Sequence, residues 1–518
     1  MKKGRSFVMF FLSALAAGLL AFSCAQPLDD FASFDTGNAG SLPQAGSGGF
    51  DESETPQFIE EINNMGEIGK TVWIKDGANN DYEYGNLQAA LDWLRTNAVN
   101  NGSYTVFLDT DEIIAPQTLN YGDINKNINI TFASADNNEK QIRLANPGTL
   151  FQVGAFITLT LGEGITLKGR NDNNSGSLVS VQRNATFIMN DGSAVKDNAS
   201  RSHSAVLAEG TFVMNGGTIS GNRGSWGGGV QVSNSGKFYM TGGSITGNFA
   251  HVGGGVCIFG AVWSSGEFIM TGGIIGDNVA ELNGGGIFSS QNVSKGKLVI
   301  GGNAVISGNS IMDNPFPGNG YGGGIYSSGF VTLQDNCIIE NNSAKGGAGV
   351  YLTLHQGSII EQALVMTGGT IRANVARDFG GGVALSVSSP YIQFHKTSGT
   401  IYGRDGSANA NIVINTPVEN GGNPAVVPKP KPNENDQGEN DNSQGNNNNQ
   451  GENGGNKKPN QPPVPDNNNV LSGYGQAIAI VEFNADNSFV VNLRKEITSG
   501  TNDALSSVTA AQSAGLWN

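Results

Sequence analysis

The sequence predicts an all-β chain wound as a parallel β-helix, a solenoid of short strands, and three observations carry that expectation. One phrase recurs from Phe187 to Arg404: Phe238-Tyr-Met240-Thr-Gly-Gly243-Ser-Ile245-Thr-Gly-Asn248, a variable stretch, then Gly253-Gly-Gly255-Val256. Its I-x-x-N asparagine returns at Asn198, Asn222, Asn248, Asn278, Asn309, Asn342 and Asn374, at spacings of 24 to 33 residues, and self-similarity at that period marks a solenoid. Glycine supplies 76 of 518 residues and charged residues only 14%, a balance that disfavours long helices and suits short strands joined by tight turns.

The chain opens on a basic stretch (Lys2, Lys3, Arg5), an apolar run from Ser6 to Phe22, and Leu20-Ala-Phe-Ser-Cys24. Residues 1–24 therefore read as a secretory signal. The closing pentapeptide resembles a bacterial lipobox, which implies cleavage before Cys24 and diacylglyceryl modification of its thiol, an anchor of more than one acyl chain. Residues 25–64 are polar, Gly/Ser/Asp-rich and without period, and are expected to form a flexible tether.

Residues 65–155 change pattern. Thr71 to Ile74 is a strand candidate, and Asn86 reads as the N-cap of an amphipathic helix with Leu87, Ala90, Leu91 and Leu94 on one face. Tyr104 to Leu108, Ile128 to Phe132 and Ile142 to Leu144 alternate as strands do. An open β-helix end exposes unpaired strand edges, so the helix is expected to lie across that end as a cap, with Leu87, Leu91 and Leu94 facing down.

The repeats occupy residues 156–415. Residues two apart share a strand face, which turns Phe187/Met189, Phe212/Met214, Phe238/Met240, Phe268/Met270 and Leu364/Met366 inward. A second strand carries Val195, Ile219, Ile245, Ile275, Ile306, Ile339, Ile371 and Ile401, and a third carries Val230/Val232, Val256/Ile258, Ile287, Ile325, Val350/Leu352 and Val383/Leu385. Three strands per turn are thus expected, in about nine turns spaced by ~4.8 Å. Arg170 and Arg404 fall in the Asn slot at the two ends of the series. Residues 416–470 are low-complexity, without aromatics or apolar period, and read as a disordered loop. The strand patterns of residues 471–518 are expected to dock on the last turn as a C-terminal cap; 48 residues are too few for an outer-membrane barrel, which takes at least eight strands of roughly ten residues.

The Gly-Gly-Gly-Val and I-x-x-N elements (Gly227 to Val230, Gly284 to Ile287, Gly380 to Val383) resemble the right-handed parallel β-helix repeats of the pectate-lyase-like fold. In detail they are similar to the polymorphic outer-membrane protein repeats, with Gly where those carry Ala. The resemblance covers about half the chain and implies a surface-exposed adhesin or antigen, anchored here by the Cys24 lipid rather than a barrel.

Several side chains invite functional readings. The Asn series is expected to be structural, amides stacked turn upon turn and hydrogen-bonded along the axis. The Gly triplets lack the strand–loop–helix context of a phosphate site and are expected to supply positive-φ corners. The net charge of −15, with no Lys/Arg stripe, argues against nucleic acid. His203, His251, His355 and His395 lack metal spacing, and no cofactor is expected. Asp197 and Asp277 lie three turns apart, roughly 14 Å, too far for a glycosidase carboxylate pair at ~5–9.5 Å. Glu281 and Asp313 are the one acidic pair on neighbouring turns, with Lys345 and Arg377 beyond them; a polysaccharide lyase or hydrolase would use such a cluster. Cys257 should point outward and Cys337 inward, which makes a bridge between them geometrically poor.

The variable stretches carry Trp226, Phe249, His251, Phe316, Tyr321 and Phe379. Solenoid insertions collect along one edge, often the binding edge, so these residues are the candidate contacts for a protein or glycan ligand. The alternative is that they fold back over the Gly-rich corner. The function expected is that of an adhesin-like scaffold at the outer membrane or cell surface; an envelope structural protein is a further alternative.

Overall fold

Phenylalanine stands on phenylalanine through the centre of the molecule. Leu159, Phe187, Phe212, Phe238, Phe268, Leu298, Val331, Leu364 and Phe394 are successive register partners in parallel strands. The Phe212 and Phe238 rings stack at 4.6 Å and Phe238 and Phe268 at 4.5 Å, within 6° and 5° of parallel. Such a pair adds ~0.5–1.5 kcal/mol beyond its burial, and the whole column is inaccessible to solvent. A second column runs Leu167, Val195, Ile219, Ile245, Ile275, Ile306, Ile339, Ile371, Ile401, and a third includes Val181, Ala208, Val232, Ile258, Ser289, Ser327, Leu352 and Leu385. This computed structural model is a parallel β-solenoid. It describes residues 71–121, 126–259, 266–290, 297–312, 319–353, 364–386, 393–403 and 408–414, with three strands beyond: Ile478–Phe483, Phe489–Asn492 and Val508–Thr509. The leader, Cys24, the tether, Asp313, Phe316, Arg404 and the stretch 416–470 lie outside the described residues.

The first two columns belong to one long sheet of 23 strands, because the nine-residue strands Leu364–Arg372 and Gln393–Ile401 run through the Gly-Gly bend that separates the two segments elsewhere. The third column forms a 12-stranded sheet. From the Asn222 turn onward each repeat also contributes a strand within the stretch expected to be variable loop. Arg223–Trp226, Phe249–Val252, Val279–Asn283, Ser310–Ile311, Ser343–Gly346, Val375–Phe379 and Ile412–Val413 form a seven-stranded parallel sheet. The turn therefore holds four strands rather than three. These strands escaped notice because they are only two to five residues long and their register column is mostly small, Gly224, Ala250, Ala280, Ala344 and Ala376, with Ile311 and Val413 the exceptions.

The asparagine ladder sits between the long sheet and the seven-stranded sheet, fully buried. Asn278 Oδ1 accepts from both the backbone N–H and the Nδ2 of Asn248, at 3.0 Å each. Asn278 Nδ2 in turn donates to the Ile245 carbonyl at 2.8 Å and to Asn309 Oδ1 at 3.0 Å. The same pattern holds for its neighbours, so each amide uses its full donor and acceptor capacity. The residue before each rung must adopt a left-handed backbone: Asp197, Gly221, Gly247, Asp277, Gly308, Asn341 and Ala373 all have φ between 52° and 71°. Gly, Asn and Asp adopt that conformation most readily, which accounts for Asp197 and Asp277 there and leaves Ala373 strained. The ladder ends differ from expectation. Arg170 does not continue it; Asn174, from the loop beyond, donates Nδ2 to Asn198 Oδ1 at 2.8 Å, and Asn411 accepts from the Asn374 side chain at 2.8 Å at the other end.

The Gly triplets close each turn. The first glycine has positive φ (Gly253, 66°), and a Cβ on the second or third would meet the carbonyl of the neighbouring turn at 2.4 Å (Gly254) or 2.8 Å (Gly255). At the N-terminal end, Leu87–Asn97 (α1) forms as expected, with Asn86 Oδ1 accepting from Ala89 N at 2.9 Å and Leu87, Ala90, Leu91 and Leu94 buried. Glu112 adds a second cap, accepting from Leu87 N at 3.1 Å in a buried site. The strand Val72–Asp76 pairs antiparallel with Asp81–Tyr84 on one side and Gly102–Leu108 on the other, and from Gly102–Leu108 onward the stack is parallel. At the C-terminal end Ile478–Phe483 adds in parallel to Val383–Ser386, and Phe489–Asn492 returns antiparallel upon it. Cys337 is buried in the central core and Cys257 in a separate cluster.

Candidate functional site

The seven-stranded sheet is a wall that carries Trp226, Phe249, His251 and Phe379, and Tyr321 bridges to its strands at Asn283 and Gly346. Its strands stand over the outer face of the 12-stranded sheet, where Cys257, Phe288, Tyr326, Tyr351 and Ala384 are register partners that would otherwise face water. Trp226, Val252 and Leu282 cover Cys257 and Phe288; Tyr321 and Phe379 cover Tyr351 and Ala384. The result is a second, smaller apolar core outside the main one.

This covering decides where each predicted residue sits. Tyr321 is 3% exposed and Phe379 fully buried; the Tyr321 ring stacks on Tyr351 at 4.6 Å and lies tilted against Phe379 at 5.7 Å. Burial, with the Asp378 charge nearby, pushes the Tyr321 hydroxyl up to about 12. For these two the fold-back alternative describes the position. Trp226 is half-buried with its edge toward Phe259 at 5.7 Å. Phe249 is half-buried beneath the Arg223 guanidinium, 4.2 Å from the ring centroid, and His251 is half-buried with Nδ1 2.9 Å from Glu281 Oε2. Met312 follows at 43% exposure, and the Lys345 ammonium lies 5.9 Å from the Tyr321 ring. The accessible strip is thus Arg223, Trp226, Phe249, His251, Glu281 and Met312. Phe316 falls outside the described residues.

Two of these contacts were within reach of register arithmetic and were missed. Arg223 and Phe249 each directly follow a ladder asparagine, and His251 and Glu281 each follow one by three positions. Residues equidistant from the ladder meet on adjacent turns. Glu281 Oε2 lies 2.9 Å from His251 Nδ1; its acidic neighbour in the sequence reading, Asp313, lies outside the described residues.

Elsewhere the surface is shallow. An open groove of about 470 Å³ on the long sheet is lined by Glu139, Thr166, Asp191, Ser193, Lys196 and Thr218, and a second of about 350 Å³ lies around Asp335 and Ser398. In the first, the Lys196 amine, 2.9 Å away, holds the Glu139 carboxyl below its ordinary range. Among the described residues no group of three His, Cys, Asp or Glu side chains could hold a metal, and no helix is long and apolar enough to cross a membrane.

Comparison of the chain with family models, with characterised proteins and with solved structures returns no match. What the fold and the wall define is a parallel β-solenoid with one aromatic and charged side strip.

Proposed function

We propose that this chain is a lipid-anchored surface protein, held by a diacylated Cys24, and that the strip from Arg223 to Met312 is the contact edge of an adhesin-like scaffold for a protein or glycan ligand. The observation that carries this reading is the Arg223–Phe249 stack beside Trp226 and His251, half-buried and accessible along successive turns. Cations over aromatic faces, preorganised on a rigid sheet, suit recognition because little conformational entropy is lost on contact. The resemblance to polymorphic outer-membrane protein repeats points the same way by analogy.

The test is a binding screen on matrix proteins and glycans with the double variant Arg223→Ala, Phe249→Ser. Loss of binding with the melting temperature nearly unchanged is expected; a folded variant that binds as well as the parent overturns the assignment. One observation favours a second reading. A histidine hydrogen-bonded to a carboxylate, as in His251–Glu281, can serve as a general base, so a lyase or hydrolase acting on polysaccharide is the alternative. Polysaccharide turnover abolished by His251→Gln would establish it in place of the scaffold.

A further inference from the structure

We propose that the side strip takes a sulfated glycan chain, held by Arg201 and Arg223 at one end and by Lys345 at the other. The inference rests on the reading of this strip as a contact edge and names the chemistry of its ligand. The column that follows each ladder asparagine by three positions carries Arg201, His251, Glu281, Lys345 and Arg377. Arg223 stands on the turn after Arg201, with Ala199 as its bridge partner. Arg201 donates to Asn173 Oδ1 at 3.2 Å, Arg223 lies over Phe249, and Lys345 faces the Tyr321 ring. Among the described residues no carboxylate lies within 4.0 Å of Arg201, Arg223 or Lys345. On the long sheet, by contrast, Lys140, Lys168, Lys196 and Arg372 each hold one. With Arg377 the strip sets four cations against the carboxylates of Glu281 and Asp378, on a chain whose net charge is −15. Such a strip selects an anionic partner.

Geometry separates the classes of anion. Six turns at ~4.8 Å set Arg201 and Arg377 about 29 Å apart, with the His251–Glu281 pair between them. A small anion reaches one end only; an extended polyanion reaches both. Strands of about four residues at ~3.3 Å make the strip roughly 13 Å wide, and so about 400 Å² over that length. A standard protein interface buries ~800 Å² per partner around a desolvated apolar core, and here Tyr321 and Phe379 are already buried within the wall. A linear, hydrated chain fits this narrow strip where a protein face does not. The adjacent guanidinium groups of Arg201 and Arg223 favour sulfate over carboxylate. One bidentate fork takes up both oxygens of a carboxylate, whereas a sulfate ester offers three free oxygens and can accept from two forks at once.

Binding of the full chain, in neutral detergent, to immobilised heparin tests this, beside polygalacturonate, polyglutamate and neutral dextran. The parent should bind heparin and neither unsulfated polyanion comparably. Its affinity should fall steeply between about 50 and 200 mM salt, as counterion release from a dense polyanion requires. Arg201→Gln and Lys345→Gln should each flatten the log–log salt slope by about one, and together weaken binding about tenfold or more, with the melting temperature unchanged. Lys237→Gln, which removes an exposed cation from the long sheet, should alter neither slope nor affinity. A parent that ignores heparin, equal binding to either unsulfated polyanion, or equal loss in Lys237→Gln overturns the proposal. The contact-edge reading fails separately. A parent that ignores heparin yet binds a matrix protein or neutral glycan through Arg223 and Phe249 refutes the sulfate assignment alone, whereas heparin binding untouched by every strip variant refutes both.

Discussion

Removing one rung of the ladder should cost far more than its single side chain suggests. In Asn278→Ala the Asn248 backbone N–H loses its acceptor at 3.0 Å and the Ile245 carbonyl loses its donor at 2.8 Å, both buried. A buried polar group left unpaired costs about 1–3 kcal/mol, so two give about 2–6 kcal/mol. Asn278→Asp should behave differently. It keeps the acceptor for Asn248 but turns a carboxylate oxygen toward the Ile245 carbonyl and Asn309 Oδ1, where a donor is required. Its folded-state pKa is therefore raised, and a protonated oxygen could donate. Stability is then greatest below the unfolded carboxyl's pKa of ~3.9 and is lost as pH rises through the folded value. Chemical denaturation at neutral and acid pH, with hydrogen exchange to locate the opening, reads both effects. A loss below about 1 kcal/mol in Asn278→Ala, or an Asp variant indifferent to acid, would refute the hydrogen-bonded ladder.

Further outcomes follow from the same geometry. Ala373 holds φ at 52° where its equivalents include Gly221 and Gly308; Ala373→Gly should stabilise by about 1 kcal/mol in denaturant titration, since a Cβ in that region costs ~1–2 kcal/mol and added chain entropy offsets part of the gain. Burial raises the Glu112 carboxyl above its ordinary 4.5, opposed by the bond from Leu87 N. A raised acid favours folding while protonated, so that stability is present at low pH and lost as pH rises through the folded value. Glu112→Gln keeps an acceptor and no charge; its melting temperature should exceed the parent's at neutral pH and should not fall over that window. Cys24→Ser should abolish incorporation of a labelled fatty acid and release the protein from the membrane fraction; retained label would exclude the lipid anchor.

Much of the architecture could be read from the residues because the repeat states it directly. The columns at Phe238 and Ile245, the inward pairing of residues two apart, and the Asn86-capped helix are each written in large, alternating side chains. The fourth strand was illegible for the converse reason. Ala250, Ala280, Ala344 and Ala376 dominate its register column, with Ile311 and Val413 the larger exceptions, and small residues in strands this short give no periodic signal. The ladder ends escaped because Asn174 and Asn411 reach their slots from loops, off the repeat period, while Arg170 keeps the register but not the role. At the wall the residue types were visible and their depth was not. Tyr321 and Phe379 look like Trp226 and Phe249 in sequence, yet they are buried because Tyr351 and Ala384 lie beneath them on the neighbouring sheet.

Everything rests on the turns being stacked in one register, and a pair of cysteines can measure that directly. Thr218 and Ser244 are register partners on adjacent turns, with hydroxyl oxygens 3.3 Å apart on the outer face, at a strand separation of ~4.8 Å that a disulfide can span. Thr218→Cys/Ser244→Cys should close an intrachain disulfide on mild oxidation, and Thr218→Cys/Ile274→Cys, one turn further away, should not. Equal yields from the two pairs, or a bridge in the second alone, would contradict the stack.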